Sequence, residues 1–258
     1  MAADFPGLRY VLGDVRDKSQ VAAAVAGHDI VIHAAAMKRI PECEAFPSEC
    51  MKTNVVGSQN VIDACLTGGV RRCVGISTDK ACAAITTYGA SKRVMEGLFQ
   101  QADLTGRLTT FTLVRYGNVV ASNGSVIPVW QQQAKEGGPL TITGGEMTRF
   151  WMSRFHAVEL IERALIMDPG TISVPKMGAL SIREMASIIA PNVPLQDIGL
   201  RSREKIHEDL VNPNEAAAPD GLSHFTIRNS NDTGGISYNS LTARRLMAWE
   251  FQEMLDVA

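Results

Sequence analysis

The chain has 258 residues, 45% of them hydrophobic and 20% charged, and its 25 basic and 27 acidic side chains leave a net charge of −2. That composition excludes global disorder and offers no basic excess for nucleic acid or an anionic membrane. No run approaches the ~18 apolar residues of a membrane span, and Met1–Gly7 lacks the cationic and apolar regions of a secretory signal, so a cytoplasmic protein is expected.

In chain order, Leu8–Leu12 reads as a strand ended by Gly13-Asp14, and Asp17–Ala26 as a helix closed by Gly27. The continuous apolar run Asp29–His33 has the texture of a buried parallel strand. Helical spacing follows over Pro47–Leu66, with Val55, Val56, Ile62 and Leu66 on one side. Arg72–Ser77 is a strand, Tyr88–Gln101 a helix with Val94, Leu98 and Phe99 inward, and Thr110–Arg115 a β-branched strand. Beyond Ser125 the reading gives helices over Val126–Lys135, His156–Met167, Ser181–Ala190 and Leu241–Leu255, with strands at Leu140–Thr143 and Thr171–Val174. Ser181 and Glu184 form a capping box. Pro191–Asp232 reads as loop-rich. The order is α/β: a Rossmann-like parallel sheet with helices on both faces and a small irregular C-terminal lobe. The division is 1–124, a partial dinucleotide-binding region carrying the catalytic residues, and 125–258, mainly a substrate lobe with some segments returning to the sheet. Five cysteines, odd in number and without Cys-x-x-Cys, read as buried thiols, so neither a disulfide scaffold nor a metal site is expected.

Ligands of open α/β sheets bind beyond the carboxyl ends of the strands. Four such ends carry polar or small residues: Gly13–Asp17, His33–Lys38, Ser77–Lys80 and Arg115–Asn118. Each alone is ordinary turn chemistry, but together they mark one site. Tyr88 and Lys92 stand at i, i+4 on one helix, where a cation beside a phenol favours the phenolate. Alone that pair is more often a surface tyrosine beside a solvated lysine. Asp79-Lys80 places an acid and a base side by side at a strand end, which suits divided general acid and base work or an ordinary exposed turn.

Those residues resemble the extended short-chain dehydrogenase/reductase superfamily, and within it the inverting UDP-N-acetylglucosamine 4,6-dehydratases. The resemblance runs in family order through Gly13–Asp17, His33–Pro41, Thr53-Asn54-x-x-Gly57, Ser77–Ala81, Arg115–Val119, Thr148–Trp151 and Glu204-Lys205-x-His207-Glu208. It implies conversion of UDP-N-acetylglucosamine to a 4-keto-6-deoxy sugar with inversion at C5, for surface polysaccharide or flagellin glycan. By resemblance, Tyr88 takes the proton of the 4-hydroxyl and Lys92 holds the cofactor ribose. Lys80 removes the C5 proton, Asp79 protonates the departing 6-hydroxyl, and Thr78 steadies the C4 oxygen. The same resemblance assigns Asp14, Val15, Ala34, Ala35, Ala36, Lys38, Asn54, Ser77, Tyr88, Lys92 and Tyr116 to an NADP cofactor, with NAD as the alternative. It assigns Lys38, Asn118, Val126, Arg149, Arg201 and Glu204 to the UDP-sugar, and it is compatible with a homo-oligomer.

The sequence departs from the family's pattern in places. Cys82-Ala83-Ala84 stands where a small residue, Asn and Pro are usual, and Ser202-Arg203 where Pro-Gly is usual, which predicts a looser turn at Arg201–Glu204. Neither Gly-x-Gly-x-x-Gly nor Gly-x-x-Gly-x-x-Gly occurs in a first strand-to-helix turn. The reading therefore enters the sheet at its third strand, an N-terminally truncated Rossmann-like sheet, and predicts weak NADP binding or none. Either Arg9–Leu12 and Ile30–His33 re-pair against Val74–Ser77, or their backbone groups stay unpaired. Two alternatives to the dehydratase follow: an inactive remnant that binds UDP-sugar or a partner subunit, and an NAD(P)-dependent sugar epimerase or reductase.

Overall fold

The fold is that of a computed structural model describing residues 7–104, 108–122 and 124–257. Met1–Pro6, most of the stretch read for a secretory signal, lies outside them. In chain order the elements are α1 (Lys18–Val25), β1 (Ile30–His33), α2 (Ile40–Ala45), α3 (Pro47–Met51), α4 (Gly57–Gly68), β2 (Arg72–Thr78), α5 (Thr87–Asp103) and β3 (Thr110–Tyr116). Then come β4 (Asn118–Val119), α6 (Val126–Lys135), β5 (Leu140–Ile142), β6 (Thr148–Met152), α7 (Arg154–Ala164), β7 (Ile172–Pro175), β8 (Gly178–Ser181), α8 (Ile182–Ile189) and β9 (Leu195–Asp197). The chain closes with β10 (Asp209–Val211), β11 (Ala216–Asp220), β12 (His224–Arg228), β13 (Tyr238–Asn239) and α9 (Ala248–Asp256).

The main sheet has the order β1-β2-β3-β7-β12-β11, parallel through β7 and antiparallel beyond it. A Rossmann-like α/β sheet is therefore present. Its parallel strands are Val-, Ile- and Phe-rich, and Cys73, Val74, Phe111, Leu113 and Val114 are fully or almost fully buried between helical layers. A second apolar cluster, around Trp130, Trp151, Met185 and Phe251, holds α6, α8 and α9 on the three-stranded sheet β4-β6-β8. The capping box of α8 forms as read, with Ser181 receiving the Glu184 amide and Glu184 receiving that of Ser181. All five cysteines are buried and unbridged.

Four elements differ from the sequence reading. Leu8–Leu12 is not a strand. No neighbouring strand pairs it among the described residues, and Leu8, Tyr10, Val11 and Leu12 stay exposed. Of the two outcomes posed for this region, Ile30–His33 pairs in parallel with Arg72–Gly75, and no strand among the described residues pairs its other edge. The loop-rich Pro191–Asp232 holds β9 to β12. Its strands were obscured by Ala216-Ala217-Ala218-Pro219, which has little strand propensity; Pro219 is tolerated because β11 is an edge. The final helix spans only Ala248–Asp256. On α5 Phe99 and the half-buried Leu98 face the core as expected, but Val94 does not. Val94 is exposed, while Met95 and Phe99 are buried together with Lys92 and Glu96.

Candidate active site

The site is assembled at the carboxyl end of β2. Thr78 ends the strand, and its hydroxyl receives the Lys80 amide at 3.5 Å, capping a single 3-10 turn over Asp79–Ala81. That turn throws two adjacent side chains to one side. Asp79 Oδ1 accepts from the Thr78 hydroxyl at 2.9 Å and from Lys80 Nζ at 3.0 Å. Asp79 is fully buried, and its Oδ2 has no hydrogen-bond partner. A buried carboxylate oxygen left open costs about 1–3 kcal/mol, so it is a place where an incoming hydroxyl gains.

Helix α5 brings Tyr88 to the same place. Thr86 caps it by accepting from the Gly89 amide at 3.0 Å. Gly89 then packs directly on the turn: a Cβ there would overlap the Lys80 carbonyl oxygen. Gly117 serves on the other side, where a Cβ would lie 2.6 Å from Phe150 Cβ and 3.4 Å from Asp79 Oδ2.

Electrostatics distinguish the three groups. Burial pushes the Tyr88 phenol up to about 12, against the opposing Lys80 charge and a Thr78 hydrogen bond. Burial would lower the Lys80 ammonium, but the Asp79 and Glu208 carboxylates outweigh it and raise its pKa above the usual lysine range. Lys92, buried beneath, falls to about 8 because burial outweighs the charge of Glu96. Its Nζ reaches Met95 Sδ at 3.2 Å, a weak acceptor. The cation that most favours the Tyr88 phenolate is thus Lys80, not Lys92 as the i, i+4 spacing implied.

Several of the residues assigned to ligands make bonds within the chain. Asn54 is buried and braces the loop after β1: Oδ1 accepts from the Met37 amide at 2.8 Å, and Nδ2 donates to the Met37 carbonyl and Ser91 Oγ, both at 2.9 Å. A π-helical turn at Lys52–Val56 turns it inward. Ser77 donates to Glu96 Oε1 at 2.6 Å, and Asp14 is gripped by Arg16. Arg149 is buried, and its Nη1 and Nη2 donate to the carbonyls of Thr148, Ile206 and Lys205. Ala34, Ala35 and Lys38 are exposed beyond β1, with Val15, Ala36, Tyr116, Asn118 and Val126 half-buried.

The turn Arg201–Glu204 holds despite losing Pro and Gly. Arg203 takes the left-handed conformation, φ 61°, and its guanidinium pairs with Glu44 at 2.6 Å. Arg201 is exposed, and Glu204 lies 3.6 Å from Arg149. Glu204 also receives the Thr143 hydroxyl at 3.5 Å, beside a groove of about 520 Å³ that Thr143 helps to line.

Three acidic residues carry weight that the sequence reading missed. Glu96 and Glu215 bracket the fully buried Arg115, with Nη2 contacts of 2.7 Å to each. Glu208 lies 3.5 Å from Lys80 Nζ. Glu96 had a signal: 88, 92 and 96 form one i, i+4 stripe. Glu208 and Glu215 arrive from a hundred residues or more away, which no local spacing reveals.

The sequence matches the polysaccharide biosynthesis protein family over residues 5–229. The chain belongs to that family. It is 44% identical over 218 residues to an inverting UDP-N-acetylglucosamine 4,6-dehydratase of Campylobacter jejuni, a match covering 82% of this chain and 64% of the relative. The chain thus spans under two thirds of that relative's length. It is 39% identical over 232 residues to a UDP-glucose 4-epimerase of Rickettsia akari, covering 87% of this chain and 68% of the relative. Among solved structures, Pen from Bacillus thuringiensis superposes with TM-score 0.91 at 32% identity, covering all of this chain and 85% of that one. A dTDP-glucose 4,6-dehydratase of Streptomyces venezuelae, solved with NAD bound, shares the fold at TM-score 0.71 and 24% identity, covering 78% of this chain and 70% of that one. Among the described residues no helix is long and apolar enough to cross a membrane.

Proposed function

We propose that this family member carries the chemistry of a nucleotide-sugar 4,6-dehydratase, acting on UDP-N-acetylglucosamine with inversion at C5. The observation that carries the reading is the Asp79–Lys80 pair, joined at 3.0 Å beside Tyr88. A nicotinamide dinucleotide fits one end of this site. Lys92 is a buried ammonium with a thioether for its partner, suited to a ribose hydroxyl beneath Tyr88. NADP is the first choice and NAD the second. At the pyrophosphate end, no glycine-rich strand-to-helix turn stands among the described residues, so the affinity expected of this chain alone is low. When bound, the nicotinamide supplies hydride acceptance and return.

The residues then divide the proton work. Tyr88 Oη takes the proton of the sugar 4-hydroxyl, assisted by the Lys80 charge, and the Thr78 hydroxyl, turning its one hydrogen away from Asp79 Oδ1, holds the C4 oxygen. The ketone acidifies C5–H. Passing the shared proton from Lys80 Nζ to Asp79 gives a neutral amine and a carboxylic acid without any change in net charge. The amine takes the C5 proton, and the acid protonates the leaving 6-hydroxyl, releasing water. An epimerase needs no such pair at C5 and C6.

Incubating the purified chain with UDP-N-acetylglucosamine and NADP or NAD tests this. The expected result is loss of one water mass from the sugar nucleotide, lowered about 10²–10⁴-fold in Lys80→Met. A changed sugar configuration with no change in mass favours the epimerase reading, which the 39% identity to the Rickettsia relative supports. Lys80→Met with full activity removes the base assignment.

A further inference from the structure

We propose that Glu208 is a positioning residue for Lys80, closing with Asp79 a two-carboxylate clamp on the catalytic amine. The proposal rests on the dehydratase reading for its chemical meaning, but its geometry stands apart. Glu208 is buried and its Oε1 lies 3.5 Å from Lys80 Nζ, while Oε2 has no hydrogen-bond partner. The two open carboxylate oxygens of the site, Asp79 Oδ2 and Glu208 Oε2, therefore belong to the two groups that flank one ammonium.

The backbone of Glu208 is fixed from the distant part of the chain. Its amide donates to Ser240 Oγ at 2.9 Å, and its carbonyl accepts the Ser240 amide at 2.8 Å. Ser240 Oγ is in turn held by Thr148, whose hydroxyl also meets His207 Nδ1. From the other side, Arg149 Nε stands 3.9 Å from Glu208 Oε1. The charged and titratable groups facing Lys80 are thus Asp79, Glu208, Arg149 and the Tyr88 phenol. Those facing Glu208 are Lys80 and Arg149.

A second carboxylate has a defined use. Once Lys80 has passed its proton to Asp79, that pair is neutral and no longer anchors the amine electrostatically. Glu208 remains an anion and accepts an N–H from the neutral amine, keeping its lone pair aimed. The C5–H bond then breaks, its proton forms the third N–H bond, and its electron pair enters the enolate. That enolate expels the C6 oxygen, which leaves as water with the Asp79 proton. The renewed ammonium now has two anions beside it, so Glu208 strengthens the base without touching the sugar.

The experiment uses the full chain without sugar or nicotinamide. Lysine is labelled at 13Cε, and the Lys80 resonance is assigned by its loss in Lys80→Met. Its titration midpoint is compared in Asp79→Asn and Asp79→Asn/Glu208→Gln, because Asp79→Asn lowers the midpoint toward a measurable pH. The expected result is a further fall of roughly one pH unit on losing Glu208, a tenfold change in proton affinity. Asp79→Asn/Glu208→Asp, which keeps the charge, is expected to restore most of it, and Asp79→Asn/Glu208→Ala takes the place of the Gln variant if that does not fold. An unchanged midpoint on losing the Glu208 charge overturns the clamp. In a chain that dehydrates, Glu208→Gln lowers kcat with KM nearly constant; a KM effect alone also overturns it. Because the titration needs no turnover, an inactive chain would sink the dehydratase reading and leave the clamp to be judged separately.

Discussion

His33, at the end of β1, is held by one hydrogen bond and one ring. Its Nε2 meets Ser58 Oγ at 2.8 Å, and it stacks on Phe99 with centroids 6.1 Å apart. The Ser58 hydroxyl donates to the Asn54 carbonyl, so Nε2 carries the hydrogen. Burial, and then the charge of Lys92, push its pKa down to about 4 from 6.5. The unfolded chain therefore takes the proton first. Stability from this group is complete above pH 6.5 and lost as pH falls toward 4, on the order of 3 kcal/mol in all. Melting curves between pH 4.5 and 8 check this, and His33→Gln, which keeps a donor for Ser58, should flatten the acid side. A second residue acts through its backbone. Ala83 sits at φ 46°, where an Asn or Gly is at ease. Ala83→Gly relieves that strain and loosens the unfolded chain, while Ala83→Asn gains without the entropic penalty. The Asn variant should therefore be about 0.5–1 kcal/mol more stable by denaturant unfolding. The family pattern at Cys82–Ala84 already hinted at this position, since the usual Asn there is a left-handed residue. The neutral state of His33 had no such signal, because it depends on Ser58, Phe99 and Lys92 meeting in space.

At the scale of elements, the turn Asp79–Ala81 and helix α5 act as one body. The close approach of Gly89 to the Lys80 carbonyl sets their spacing, and with it the relation of Tyr88 to the acid–base pair. Gly89→Ala should force the turn away, costing about 1–3 kcal/mol in unfolding experiments. It should also lower the proposed dehydration more than the stability loss explains. Gly-for-Ala on a helix otherwise favours Ala, so a loss here isolates the contact. These elements were readable because β-branched and apolar runs, cap residues and helical spacing agreed over Arg72–Tyr116. Val94 was placed inward on α5 because the buried stripe there includes Tyr88, Lys92 and Glu96, polar residues that apolar spacing does not reveal and that the Arg115 pair and the proposed site account for. The strands β9, β10 and β12 escaped notice for the opposite reason, as each pairs with a strand distant in sequence, β5, β13 and β7, while β11 was hidden by its own Ala- and Pro-rich residues.

For the whole molecule, the sheet has two unlike ends. β1 presents Ile30 and Ile32, each about half exposed, on a strand that the described residues pair along one side only. Such an edge invites pairing with another chain. Ile32→Lys should leave the melting temperature nearly unchanged and raise the concentration at which light scattering detects association. The opposite end, β11, carries Pro219, which lacks the amide hydrogen that an added strand would need. One end is therefore adhesive and the other blunted. Contact through β1 alone uses the same patch on both copies and is spent once made. Growth by strand addition should accordingly stop at pairs, and crowded solutions of this chain should hold dimers rather than filaments.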